Sequence, residues 1–217
     1  MISLKSDGPV DFDTAASHIC EAGRLLDAKG MAPASSGNYS MRLNDGAFAV
    51  TVSGNHKGRL HIQYVMRVDA EGKALEEKKP SAETLLHTQI YKHYPDANAI
   101  LHVHSTAGVV LTRLMHGDIL LAGYEMLKAF PGVETHAVKV RLRAVDNTQD
   151  MPALANTLEE FIADLPVPAY IIRDHGFYVW GKDMEACVNM CEAVDHMLTA
   201  EVEILKIKGV PKKGLWK

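Results

Sequence analysis

Cysteine is scarce, basic charge shows no surplus, and no apolar run is long. Each shortage removes a class of protein. The 217 residues hold three cysteines, Cys20, Cys187 and Cys191. An odd set without metal-type spacing supports neither a disulfide framework nor a thiolate metal site. Cys187 and Cys191 fall on the apolar side of a helical pattern, so they read as buried free thiols. A reducing, cytoplasmic location fits them. Lys and Arg total 23 against 27 Asp and Glu, a formal net charge of −4. With no cationic excess to neutralise phosphates, nucleic acid is not an expected partner. No stretch approaches the length of a membrane span. Met1 to Val10 is polar and carries Asp7, unlike a secretory signal. There is no internal repeat and no low-complexity segment. The remaining composition, 47% hydrophobic and 23% charged, suits one domain over 1–217 with enough chain to bury a core.

What the chain has in quantity is histidine, eleven in all. Two of them lie in Leu101-His102-Val103-His104-Ser105. Side chains alternate across a pleat, so a strand here places both imidazoles on one face. Such a pair is either a chelate for a divalent metal such as Zn²⁺ or two satisfied histidines on an edge strand. A catalytic zinc commonly takes three protein ligands and keeps a position open. His175, in Arg173-Asp174-His175-Gly176, is the leading third candidate, because an apolar strand running into a glycine presents it at a turn.

The remaining pattern sets the frame. Asp13 is the expected cap of a helix to about Ala28. Strands are expected at Tyr39 to Leu43 and Ala47 to Val52, joined by the Asn44-Asp45-Gly46 turn, and a weaker one near Tyr64 to Val68. Ser81 is the expected cap of a helix to about Tyr94. Ala99 to His104 reads as a strand, Ser105 to Met115 as a helix, Val138 to Arg143 as a strand and Pro152 to Leu165 as a helix. Ala169 to Arg173 and Phe177 to Trp180 form a strand pair. A long helix starts at Asp183, and the basic tail Pro211 to Lys217 reads as loosely held. Hairpins without a strict β-α-β rhythm predict a three-layer α/β/α domain with a mostly antiparallel or mixed sheet.

Three loops share a chemistry: Ser36-Gly37-Asn38, Ser53-Gly54-Asn55 and Pro80-Ser81. Their hydroxyls and exposed N–H groups, with a helix dipole behind Ser81, either cradle a phosphate or make ordinary turns. Glu83 is a helix-start acid or a functional carboxylate. Glu125 lies in the apolar run Gly123-Tyr124-Glu125-Met126-Leu127. An acid among such neighbours is expected to have a raised pKa and donate a proton, unless it is a surface residue.

Ser36-Gly37-Asn38, Thr51-Val52-Ser53-Gly54, Pro80-Ser81-Ala82-Glu83, His102-Val103-His104 and Asp174-His175-Gly176, in this order and spacing, resemble the class II aldolase/adducin family from about Asp13 to Gly209. The stretches Leu86 to Tyr91, Gly123 to Ala129 and Asp146 to Asp150 are most similar to its dehydratases, which act on a methylthio-ketose phosphate in methionine salvage. The resemblance implies that His102, His104 and His175 hold Zn²⁺. It implies that Gly37, Asn38, Ser53, Gly54 and Ser81 bind the substrate phosphate. Glu83 takes the position of the aldolases' acid/base, and Glu125 that of the dehydratases' acid/base carboxylate. It also implies a homotetramer with sites at subunit boundaries. Dehydration of a ketose phosphate is the implied reaction, with aldol cleavage or epimerisation of another sugar phosphate as the alternatives. A non-catalytic binding module, as in adducin-type relatives, is the competing class.

Overall fold

The computed structural model describes residues 2–209, so the basic tail lies outside the described residues. Eight strands form one sheet: β1 (Asn38–Arg42), β2 (Phe48–Thr51), β3 (Val65–Val68), β4 (Ala99–Val103), β5 (Ile119–Ala122), β6 (Lys139–Val145), β7 (Ala169–Ile172) and β8 (Gly176–Gly181). Their order is β3-β2-β1-β4-β8-β7-β6-β5. Every pair is antiparallel except β6 with β7, which gives the mixed sheet expected from the hairpin-rich pattern.

Helices cover both faces, and period-two alternation in the strands decides which. In β4, Ala99, Leu101 and Val103 pack with Ile19 and Leu26 of α1 (Phe12–Ala28), Leu111 of α3 (Thr106–Leu114) and Cys187 and Leu198 of α5 (Met184–Lys208). Ile100 points the other way, into a second core with Leu86 and Ile90 of α2 (Thr84–His93) and Leu154 and Leu158 of α4 (Met151–Glu159). Each fully buried Val, Leu or Ile contributes about 1.5–3 kcal/mol of transfer free energy. The central strand, covered on both sides, is therefore a stiff platform. Cys20, Cys187 and Cys191 are buried and free, as the helical spacing predicts for the last two.

Several boundaries differ from the sequence reading. The α1 cap is Asp11, not Asp13: its carboxylate accepts from the Thr14 N–H and hydroxyl, while Asp13 sits in the first turn, facing the positive end of the dipole. Ser81 does not cap α2. Pro80 still bridges Val52, and the Ser81 carbonyl closes a turn onto the Thr84 N–H at 3.1 Å, so the helix begins at Thr84 with Glu83 in the cap position. The segment 152–165 is two elements, because α4 ends at Glu159 and a 3₁₀ turn, Ile162–Asp164, follows. Strand β5 and a 3₁₀ turn at Glu125–Ala129 occupy a stretch where the sequence pattern gave no element.

Candidate active site

One rung of the sheet builds the site. Asn38 of β1, His102 of β4 and Tyr178 of β8 are direct cross-strand partners, and Tyr170 of β7 extends the row. His102 is fully buried and its ring stacks on that of Tyr178, with centroids 4.3 Å apart. Its Nδ1 donates to the Phe177 carbonyl at 3.1 Å. That bond fixes the tautomer and leaves the Nε2 lone pair free.

The other two imidazoles arrive on turns that close over β4. His104 lies just past the strand end, anchored by its N–H to the Met31 carbonyl at 2.9 Å. His175 sits in the β7–β8 turn, where Asp174 takes a positive φ of 58° and its N–H donates to Thr112 Oγ1. Gly176 lets that turn come close. A Cβ there would lie 2.2 Å from the Val103 carbonyl oxygen and 3.0 Å from His102 Cε1. The ligand atoms of His102, His104 and His175 then lie within 4.8 Å of one another. His102 Nε2 and His104 Nε2 are 3.1 Å apart.

Burial pushes His102 down to about 4 and His104 down to about 3, so both are neutral at physiological pH. Three imidazoles with their ligand atoms this close together, two of them kept unprotonated, suit a divalent ion. His175 turns its Nε2 toward Glu83 and the cluster, and its Nδ1 is buried without a partner among the described residues. The chain therefore has a histidine cluster that could hold a metal ion, as the sequence reading expected.

Glu83 faces the cluster from the start of α2. Its Oε2 is 3.3 Å from His102 Nε2 and its Oε1 is 3.4 Å from His175 Nε2. Burial alone would raise this carboxyl. The neighbouring His102, the Tyr178 hydroxyl, His175 and the Asn38 amide outweigh it and hold the group down to about 2. A carboxylate only accepts, so the Asn38 amide nitrogen must point at Glu83 and its oxygen at His87. His87 Nε2 then donates to Asn38 Oδ1, Nδ1 accepts from Ser40 Oγ at 2.7 Å, and Tyr91 donates to Ser40 at 2.9 Å. The result is a buried row of hydrogen bonds, Tyr91–Ser40–His87–Asn38–Glu83, in which every donor points toward the carboxylate. The sequence reading gave no site role to Ser40, His87, Tyr91 or Tyr178. Two signals were present: Ser40 is two residues from Asn38 on the same strand face, and His87 is one helical turn from Glu83.

The three Ser/Gly loops gather beside this rung. Gly37, at φ 76°, lies against β4, where a Cβ would meet the His102 carbonyl oxygen at 2.6 Å. The Ser53 N–H donates to the Lys79 carbonyl at 3.1 Å, joining the loop of Ser53 and Gly54 to that of Ser81. The Asn38 side chain is engaged by Glu83 and His87.

Glu125 stands apart. It is exposed at the start of the 3₁₀ turn packed on α5, paired with Lys128 at 2.6 Å and His136 at 2.9 Å. The raised pKa expected from its apolar neighbours is not found: the hydrogen bond from Lys128 lowers the carboxyl. The flanking Leu127 turns inward while Glu125 turns to solvent, as a 3₁₀ turn requires and a linear reading of neighbours cannot show.

Residues 17–202 match the family described as Class II Aldolase and Adducin N-terminal domain. The chain belongs to that family. Among curated proteins it is 47% identical over 199 residues to the methylthioribulose-1-phosphate dehydratase of Methylococcus capsulatus, covering 91% of this chain and 98% of that one. It is 46% identical to the protein of that name from Marinobacter nauticus, covering 91% and 97%. Among solved structures, YgbL from Klebsiella pneumoniae superposes with a TM-score of 0.78 at 21% identity, over 93% of this chain and 94% of that one. The L-fuculose-1-phosphate aldolase of Thermus thermophilus gives 0.74 at 20% identity, over 91% and 97%. These two likenesses establish the fold. No helix among the described residues is long and apolar enough to cross a membrane.

Proposed function

We propose that this chain is a Zn²⁺-dependent lyase that dehydrates 5-methylthioribulose-1-phosphate to the 2,3-diketo-5-methylthiopentyl-1-phosphate. The observation that carries this reading is 44–47% identity, over nearly their whole length, to relatives named for that substrate, in a chain whose three histidines converge on one point. His102, His104 and His175 hold the ion, which when bound polarises the C2 carbonyl and acidifies the neighbouring C3–H. Gly37, Ser53, Gly54 and Ser81 line the phosphate cradle.

Two carboxylates divide the remaining work. Glu83, held at about 2 with Asn38 and Tyr178 both donating to its Oε2 and His175 beside its Oε1, is a poor base and acts as the orienting anion of the triad. Proton transfer falls to Glu125. It removes the C3 proton and returns a proton to the C4 hydroxyl as that group leaves as water; the resulting enol ketonises to the diketone. Glu125 points outward from its own chain, so it serves the triad of an adjacent copy in a homotetramer. Free buried thiols suit a cytoplasmic setting.

The deciding experiment incubates zinc-loaded protein with a panel of ketose phosphates. Loss of water from methylthioribulose-1-phosphate is expected. Release of dihydroxyacetone phosphate would instead mark an aldolase, and protein without stoichiometric metal or turnover would mark a binding module.

A further inference from the structure

Lys57 is buried, 2% exposed, under the two loops nearest the triad. Its ammonium donates to the Ser35 carbonyl at 3.0 Å and the Asn55 carbonyl at 2.7 Å. No carboxylate pairs with it among the described residues. A buried charge is normally matched by an opposite one, since two carbonyl dipoles solvate a cation without neutralising it. Burial draws the ammonium down to about 8, which leaves it mostly charged at neutral pH.

The place of this charge is informative. Ser35 opens the loop whose Gly37 presses on β4 at His102, and Asn55 ends the loop of Ser53 and Gly54. The third loop is tied to the second through the Ser53–Lys79 bond and the Val52–Pro80 bridge. The N–H groups of Gly37, Gly54 and Asn55 find no acceptor among the described residues. The Ser36 hydroxyl is buried without a partner. The field of Lys57 is felt at His102 and His104, so ammonium and triad share one region.

We propose that Lys57 is a positioning residue for the substrate phosphate: from beneath, its ammonium sets the spacing of loops 35–37 and 53–55 and supplies the positive charge that a phosphomonoester dianion neutralises. The inference rests on reading those loops as the phosphate cradle. An ammonium that merely clamps two carbonyls would leave anion affinity unchanged when its charge is removed.

The test uses inorganic phosphate as the probe on zinc-loaded wild type, Lys57→Met and Lys57→Gln. Two quantities are read: the inhibition constant against methylthioribulose-1-phosphate, and the phosphate-induced rise in thermal midpoint, which needs no turnover. Lys57→Met is expected to weaken phosphate and raise KM roughly tenfold or more, as removing a charged partner does. Its kcat changes far less than its KM, and its zinc stays stoichiometric. Lys57→Gln, which keeps a donor for one carbonyl but no charge, is expected to behave the same way and serves if Lys57→Met does not fold. A folded, uncharged variant that binds phosphate as wild type does overturns the role of Lys57 while the cradle stands. Wild type that neither gains stability from phosphate nor is inhibited by it overturns the cradle itself.

Discussion

The triad and the segment around Glu125 are built in opposite ways. His102 is fixed on three sides: a stacked tyrosine, a carbonyl on Nδ1 and the two other rings. Its neighbour Glu83 is held by a row of donors running into the core. Glu125 has only an exposed lysine and an exposed histidine beside it, on a short 3₁₀ turn at the surface. Preorganisation by a rigid shell is what ion binding and charge stabilisation require. An acid that touches its own chain so lightly is suited to docking elsewhere. The contrast is between a preorganised histidine cluster that could hold a metal ion and an exposed carboxylate held only by surface partners.

The difference can be broken most forcefully at the triad. His104→Ala removes a ligand and should cost stoichiometric zinc, with turnover falling roughly a thousandfold or more, since a bound ion supplies several kcal/mol of charge stabilisation. Metal analysis beside the dehydration assay checks both; retained zinc would exclude His104 from the ligand set. Glu125→Gln should lower kcat by about 10²–10⁴, the range of general acid–base catalysis, and leave zinc bound. Near wild-type turnover in that variant would remove Glu125 from the chemistry.

Smaller effects sharpen the account of the rigid half. His87→Phe cuts the donor row to Glu83 and should lower activity about 10–100-fold with metal retained, as loss of a supporting shell does. The same ring contributes to acid stability, beside His102 and His104. Burial pushes His87 down to about 3, from an ordinary 6.5 in the unfolded chain. Below 6.5 the unfolded chain takes up a proton that the folded chain refuses. Stability is therefore fully present above about pH 6.5 and is lost progressively as pH falls toward 3. Denaturant midpoints measured across that range should slope downward with acid for the wild type and less steeply for His87→Phe. Parallel slopes would show that His87 is not among the groups responsible.

How much of this was legible before folding differs between the two regions. The spacing of His102 and His104 offered a metal chelate beside an edge-strand reading, and the family motifs joined them to His175; the strand ends at Val103, so His104 reaches the cluster from the following turn. The mixed sheet follows from local hairpin signals. The Asn38–His102–Tyr178 rung is a matter of register between strands far apart in sequence, which no local pattern encodes, so Tyr178 and the His87 row stayed invisible. Ser81 misled because the Val52–Pro80 bridge delays the helix by a turn. Glu125 misled for a related reason: apolar neighbours in sequence predict burial only when the element is known, and a 3₁₀ turn sent Leu127 inward and Glu125 out. Lys57 drew no reading from the sequence, because its burial is set by α1 packing over it.

The division between the two regions is tested most directly by mixing two inactive variants, His104→Ala and Glu125→Gln, under conditions that exchange subunits. If each site joins the triad of one copy to Glu125 of the next, activity should return, to about a quarter of wild type in an equal random mixture. Hetero-oligomers that form and remain inactive would contradict the account, placing both halves of the chemistry within a single chain.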